Sequence, residues 1–185
     1  MYLGGSGYLK DLEIVRKQIR KRISGFLKVS RRCRWGYPQV IMCYPLKEGK
    51  PFPTLYWLTC PYLNKCIGEL ESKGVILSLA KKVQDDIGIR RRLERANNEY
   101  ARMRFSLLSD SIKEFLREKF PSYLESIRDR GIGGVSSTEG IKCLHAHLAY
   151  SLAGGETPVG EEVLKLLPSV ECLDSPKCAM IESCR

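Results

Sequence analysis

PQVIMCY (Pro38–Tyr44) and TLYWLTC (Thr54–Cys60) decide the fold. Both are short runs rich in β-branched, aromatic and aliphatic residues, and both read as strands. The connection Pro45–Pro53 carries Gly49 among its prolines and reads as a loop, so the two runs are expected to pair antiparallel. Two strands alone are marginal in water, so helices must cover one face.

Beyond this pair, from Pro61 onward, the spacing is helical. Leu63, Ile67 and Leu70 form a stripe that ends near Gly74, and a second short helix is expected over Val75–Gln84. Residues 89–108 and 110–120 continue the pattern, and Pro121 breaks or restarts it. Gly131–Gly134 (GIGG) reads as a loop. Ser136 with Glu139 resembles a capping box for a helix that carries Cys143. Ala153-Gly154-Gly155 ends that helix, and Thr157 with Pro158 opens another. On the N-terminal side, residues 8–27 read as one amphipathic helix. Leu12, Val15, Ile19, Ile23 and Phe26 lie on one face, Arg16, Lys17, Arg20, Lys21 and Arg22 cover much of the rest, and Ser24-Gly25 weakens or ends it.

The expected class is α+β, with a small antiparallel sheet at about residues 38–60 packed against a mainly helical remainder. Three segments are expected: a basic N-terminal helix (1–30), a single α+β domain (31–170) and a cysteine-containing tail (171–185). The length suits one ordinary core. No apolar run approaches the roughly 18 residues that span a bilayer. The start of the sequence lacks the apolar stretch of a secretory signal, so a cytoplasmic, reducing location is expected. Residues 1–34 hold ten Lys or Arg against two acids, a net +8 of the total +10. A basic helix of this kind suits nucleic acid or an acidic partner, or simply docks its apolar stripe on the body.

In a reducing location eight cysteines read as metal ligands, reactive thiols or buried thiols rather than disulfides. Cys143, His145 and His147 crowd one segment, and Cys172, Cys178 and Cys184 follow at intervals of six. The tail has no tight Cys-x-x-Cys pair. On a continuous helix Cys143 and His147 lie one turn apart and can share a metal. Cys143 and His145 point roughly 160° apart there, and meet only if the helix begins after Cys143 or is distorted. His145 falls in the apolar stripe of Ile141, Leu144, Leu148 and Leu152, which also suits a core histidine. Cys60 ends a strand just before Pro61, where a helix dipole lowers a thiol pKa, so it suits a ligand or a nucleophile. Arg90, Arg91, Arg92, Arg95, Arg102 and Arg104 read as a phosphate-binding face or a solvated one.

CRWGYPQVI, GKPFPTLYWLTCPYL, GIGG, KCLHAHLAYSLAGGETPVG and the closing VEC resemble an uncharacterised bacterial family, the domain of unknown function numbered 501. The resemblance runs from about Arg32 to Cys172. It implies that Cys33, Cys60, Cys143 and His145 are the positions that matter, and it requires neither His147 nor Cys43. Many relatives carry a second histidine where this sequence has Tyr150. The expected site is therefore Cys33, Cys60, Cys143 and His145, with His147 and Cys172 in reserve, holding zinc or an iron–sulfur cluster. Two alternatives stand beside it. One is a nucleic-acid or acidic-partner binder acting through Arg16, Lys17, Arg20, Lys21 and Arg22. The other is a thiol enzyme with Cys60 as nucleophile and His145 as base. Cys178 and Cys184 have no assigned role.

Overall fold

The computed structural model describes residues 6–136 and 140–183. A three-stranded antiparallel sheet has the order β1 (Phe26–Arg32), β2 (Pro38–Cys43), β5 (Tyr56–Leu58), and β3 (Leu46–Lys47) with β4 (Lys50–Pro51) makes a separate short hairpin. The register Val40↔Leu58, Ile41↔Trp57, Met42↔Tyr56 confirms the expected antiparallel pair. Alternation then sorts the side chains. Val40 and Leu58 enter the main core, while Ile41 faces the other way with Phe26, Cys43 and Val15.

Helix α1 (Ser6–Ile19) covers that second face. It is shorter than the expected 8–27. The backbone leaves the helix at Arg20, whose φ is 52°, and Phe26 opens β1 instead. Ile23 and Phe26 still pack beside Val15 and Leu12, so their helix-like spacing reflected a shared core and not a shared helix. β1 was hidden because it is an edge strand bearing Lys28, Arg31 and Arg32, the charges that discourage edge pairing.

The remaining helices are α2 (Pro61–Ser72), α3 (Val75–Asp85), α4 (Ile87–Ser106), α5 (Asp110–Lys119), α6 (Pro121–Asp129), α7 (Leu144–Leu152), α8 (Pro158–Leu166) and α9 (Lys177–Ser183). Local chemistry sets most of their starts. Pro61, Pro121 and Pro158 sit in first turns. Asp86 accepts the N–H groups of Gly88 and Ile89 at 2.7 and 3.0 Å to cap α4. The GIGG segment forms a 3-10 turn, Ile132–Gly134, in which Gly133 and Gly134 take φ values of 70° and 78°. That left-handed backbone favours glycine. The main core joins Val40, Leu58, Leu63, Ile67, Leu79, Leu93, Leu144, Leu148 and Val163, and so clamps the sheet, α2 and α7 together. This packing brings the end of α2 to the start of α7. No described helix is long and apolar enough to cross a membrane.

Candidate functional site

α7 begins at Leu144 rather than near Ser136, and Glu139 of the expected capping box lies outside the described residues. Cys143 is the N-cap, extended at φ −154° and ψ 118°. The cap comes from another helix: Glu71 Oε1 accepts the Leu144 N–H at 2.8 Å and stands 3.2 Å from His145 Nδ1. Because the helix starts after Cys143, the two side chains no longer point apart. Glu71, Cys143 and His145 bring a carboxylate oxygen, a sulfur and an imidazole nitrogen within 4.8 Å of one another. Burial pushes the His145 imidazolium pKa down. The hydrogen bond to Cys143 and the Glu71 carboxylate more than offset that and leave it above the ordinary histidine value.

Sequence reading missed Glu71 because it followed only Cys and His. A signal was present. Glu71 lies in the last turn of α2, where a carboxylate faces the negative end of its own helix dipole. Its position is favourable only with respect to the N-terminus of α7. Beside the group opens a cleft of about 290 Å³, walled by Tyr56 and Trp57 of β5, with Gly133 and Lys142 on its other sides. Cys143 and His145 both line it.

His147 does not join them. It is fully buried, its Nδ1 lies 3.1 Å from Thr157 Oγ1, and burial pushes its pKa down to about 3. The expected i,i+4 pairing with Cys143 is therefore not formed: His147 lies in the core, and His145 is the histidine in the compact group. The Thr157 hydroxyl makes no cap hydrogen bond at the start of α8, consistent with its engagement by His147. This predicts an acid sensitivity. The unfolded state protonates this histidine near pH 6.5, whereas the folded state resists protonation until about pH 3. Stability is thus lost as pH falls below 6.5, at about 1.4 kcal/mol per unit. Urea unfolding at pH 7 and pH 5 should show about 2 kcal/mol more loss in the wild type than in His147→Gln. Equal losses would assign the acid sensitivity to other groups. His145, with its raised pKa, acts in the opposite sense, which is why the difference between the two proteins is the quantity to measure.

Cys60 is also placed elsewhere. It is the N-cap of α2 and is buried. Burial pushes its thiol up to about 11; the backbone N–H groups of Leu63 and Tyr62 lower it as expected at a helix start, but too little to win. Glu71 lies eleven residues further along the same helix, roughly 16 Å at the rise of an α-helix. Cys60 therefore cannot use His145 as its base, and the expected Cys60–His145 thiol pair is not formed. Cys33 sits in the β1–β2 turn, where its N–H donates to Tyr37 O at 3.0 Å, and it too is outside the compact group. Among the described residues no two cysteines are joined as a disulfide; Cys184 lies outside them.

Of the predicted basic residues, Arg16, Arg20, Lys21 and Arg22 are exposed, and Lys17 is half-buried beside Glu13 at 3.5 Å. The apolar stripe of α1 docks on the body through Val15. The α4 arginines do not form one face: Arg104 is fully buried, and Arg92 pairs with Glu161.

Fold and site together define an α+β protein with a compact carboxylate–thiol–imidazole group at a helix–helix junction, open to a cleft. Residues 29–165 match the family described as protein of unknown function (DUF501), and the chain belongs to that family. The match runs from within β1 to near the end of α8, and so includes every residue of the group. No curated protein and no solved structure matches the sequence.

Proposed function

We propose that Glu71, Cys143 and His145 hold one divalent transition-metal ion, with zinc the best fit, and that the cleft beside them receives a substrate. The observation that carries this reading is the convergence of three different donor types, from two separate helices, within 4.8 Å. Zinc accepts carboxylate, thiolate and imidazole together, whereas a single thiolate is too few for an iron–sulfur cluster at this point. Three protein ligands leave a fourth position for water, the arrangement of hydrolytic rather than structural zinc. Glu71 would orient His145 while capping α7. Lys142 would attract an anionic part of the substrate, and Tyr56 and Trp57 would bury its apolar part. A cytoplasmic, reducing setting would keep Cys143 available as a ligand.

Elemental analysis of anaerobically purified protein tests this. About one zinc per protein molecule is expected at this group, lost in Cys143→Ala and His145→Ala. Folded wild-type protein that takes up no metal there would overturn it.

A second reading places Cys143 as a nucleophile. His145 Nδ1 is held by Glu71, the order of a thiol–imidazole–carboxylate triad, and the positive end of the α7 dipole faces the sulfur. Chelator-treated protein should then be alkylated at Cys143 far faster than at its other thiols. Uniform slow labelling would remove this reading. Separately, the exposed Arg16, Arg20, Lys21 and Arg22 support a surface for nucleic acid or an acidic partner, whose binding would weaken steeply with salt.

A further inference from the structure

The C-terminal tail is strapped across the opposite end of α2, and it carries thiols to Cys60. Two residues of β2 organise the meeting. The Gln39 carbonyl accepts the N–H groups of Thr59 and Cys60 at 2.8 and 3.4 Å, while the Gln39 side chain donates to Val170 O at 2.7 Å. The Pro38 carbonyl accepts Thr59 Oγ1 at 3.2 Å and Gln18 Nε2 at 2.9 Å, and the same Gln18 nitrogen reaches Cys178 Sγ at 3.2 Å. Cys60, the segment entering Cys172, and Cys178 are thereby anchored to two neighbouring residues. Cys172 is further fixed by its carbonyl, which accepts from Arg34 Nη2 at 2.9 Å and Trp35 Nε1 at 3.1 Å. Those donors belong to the turn that begins at Cys33. Lys177 stacks over Tyr62 at 5.1 Å and holds the start of α9 against the first turn of α2.

We propose that Cys60, Cys172 and Cys178, with Cys33 as the fourth, form a second metal site that takes a thiophilic metal and is separate from the Glu71 group. Cys60 and Cys178 are both buried, and the Gln18 side chain lies against Cys178. Thiols held in so little water stay protonated because their thiolates would be poorly solvated, and a cation among them reverses that preference. The one group compact enough for a single ion among the described residues is Glu71, Cys143 and His145. The tail thiols therefore stand wider apart than that. Metal binding either draws the tail inward onto one ion or spans the gap with a polynuclear cluster, whose sulfur ligands sit on different metal atoms. Each thiol that ligates releases one proton to solvent, and no oxidant or reductant is needed. The site would make the tail a metal-dependent strap on the body.

Cobalt(II) titration of the metal-free, full-length protein tests this, read by the near-ultraviolet sulfur-to-cobalt absorption, which grows with the number of thiolates bound. Cys143→Ala, which removes the sulfur of the other site, should keep most of that absorption. The Cys172→Ser/Cys178→Ser protein should lose most of it and bind about one metal fewer. Limited trypsin digestion of Cys143→Ala is the second readout: added metal should slow cleavage after Lys177 at least about tenfold, because binding protects only the closed tail. Zinc that purified Cys143→Ala retains and the double variant lacks would assign a single ion. Iron with sulfide that the double variant lacks would assign a cluster. Unchanged absorption in the double variant, or its complete loss in Cys143→Ala, would overturn the second site. Failure of the Glu71 site alone would instead leave the tail site's metal intact.

Discussion

Arg104→Met is expected to lower the unfolding free energy by about 3–5 kcal/mol. Arg104 is fully buried on α4, and its guanidinium bonds to backbone rather than to a carboxylate. It donates to three carbonyls: Ile127 O at 2.7 Å, Pro53 O at 2.8 Å, and Arg130 O. Two of these lie at the end of α6, where carbonyls lack helical partners and carry the negative end of the dipole. The third lies in the loop just before Thr54 and β5. One residue thus ties α4 to α6 and to the entry of the central sheet, with the Tyr100 ring 5.7 Å away. Burial holds the Arg104 pKa down to about 10, so it remains charged at neutral pH.

Removing it relieves a desolvated cation but orphans three carbonyls, each costing about 1–3 kcal/mol when left unpaired and buried. The second effect wins because methionine offers no donor. Arg104→Lys keeps the charge, yet a single nitrogen cannot reach three segments, so about half the loss should persist. Chemical denaturation reads both variants. A change below about 1 kcal/mol for Arg104→Met would mean that the neighbouring segments rearrange to pair those carbonyls themselves.

Glu71→Gln should weaken zinc binding at least about 100-fold while leaving stability within about 1 kcal/mol of the wild type. The amide oxygen can still accept the Leu144 N–H, so α7 keeps its cap, but the charge that favours a cation is gone. Glu71→Ala removes both and should cost about a further 1 kcal/mol of stability. The pair of variants separates the two roles of one side chain. If Glu71→Gln binds zinc as tightly as the wild type, Glu71 is only the cap of α7 and the proposed ligand set fails. Competition with a chromophoric chelator measures the affinity, and urea denaturation measures the stability.

Much of the helical region was legible in the sequence. Pro61, Pro121 and Pro158 mark starts through proline geometry, and the apolar stripes between them face the core. β1 was not legible, because an edge strand with one buried residue resembles the continuation of a basic helix. The start of α7 was misplaced for a different reason. Its cap is Glu71 of another helix, so no local pattern announces it. The same fact decided between the histidines: shifting the start past Cys143 turned His145 toward Glu71 and left His147 to the core beside Thr157.

By itself the sequence determined the α+β class, an antiparallel pairing between Pro38–Tyr44 and Thr54–Cys60, most helix boundaries, and the crowding of Cys143 and His145 in one segment. These follow from periodicity and capping, which act over a few neighbouring residues. Only the tertiary structure decided that Glu71 completes the group, that Cys60 belongs to the other end of α2, and that Cys172 and Cys178 are carried there by the tail. Those pairings join residues far apart in sequence. They depend on Leu63 and Ile67 packing against Leu144 and Leu148, and on Gln18 and Gln39 bonding across the sheet, contacts that no local spacing encodes.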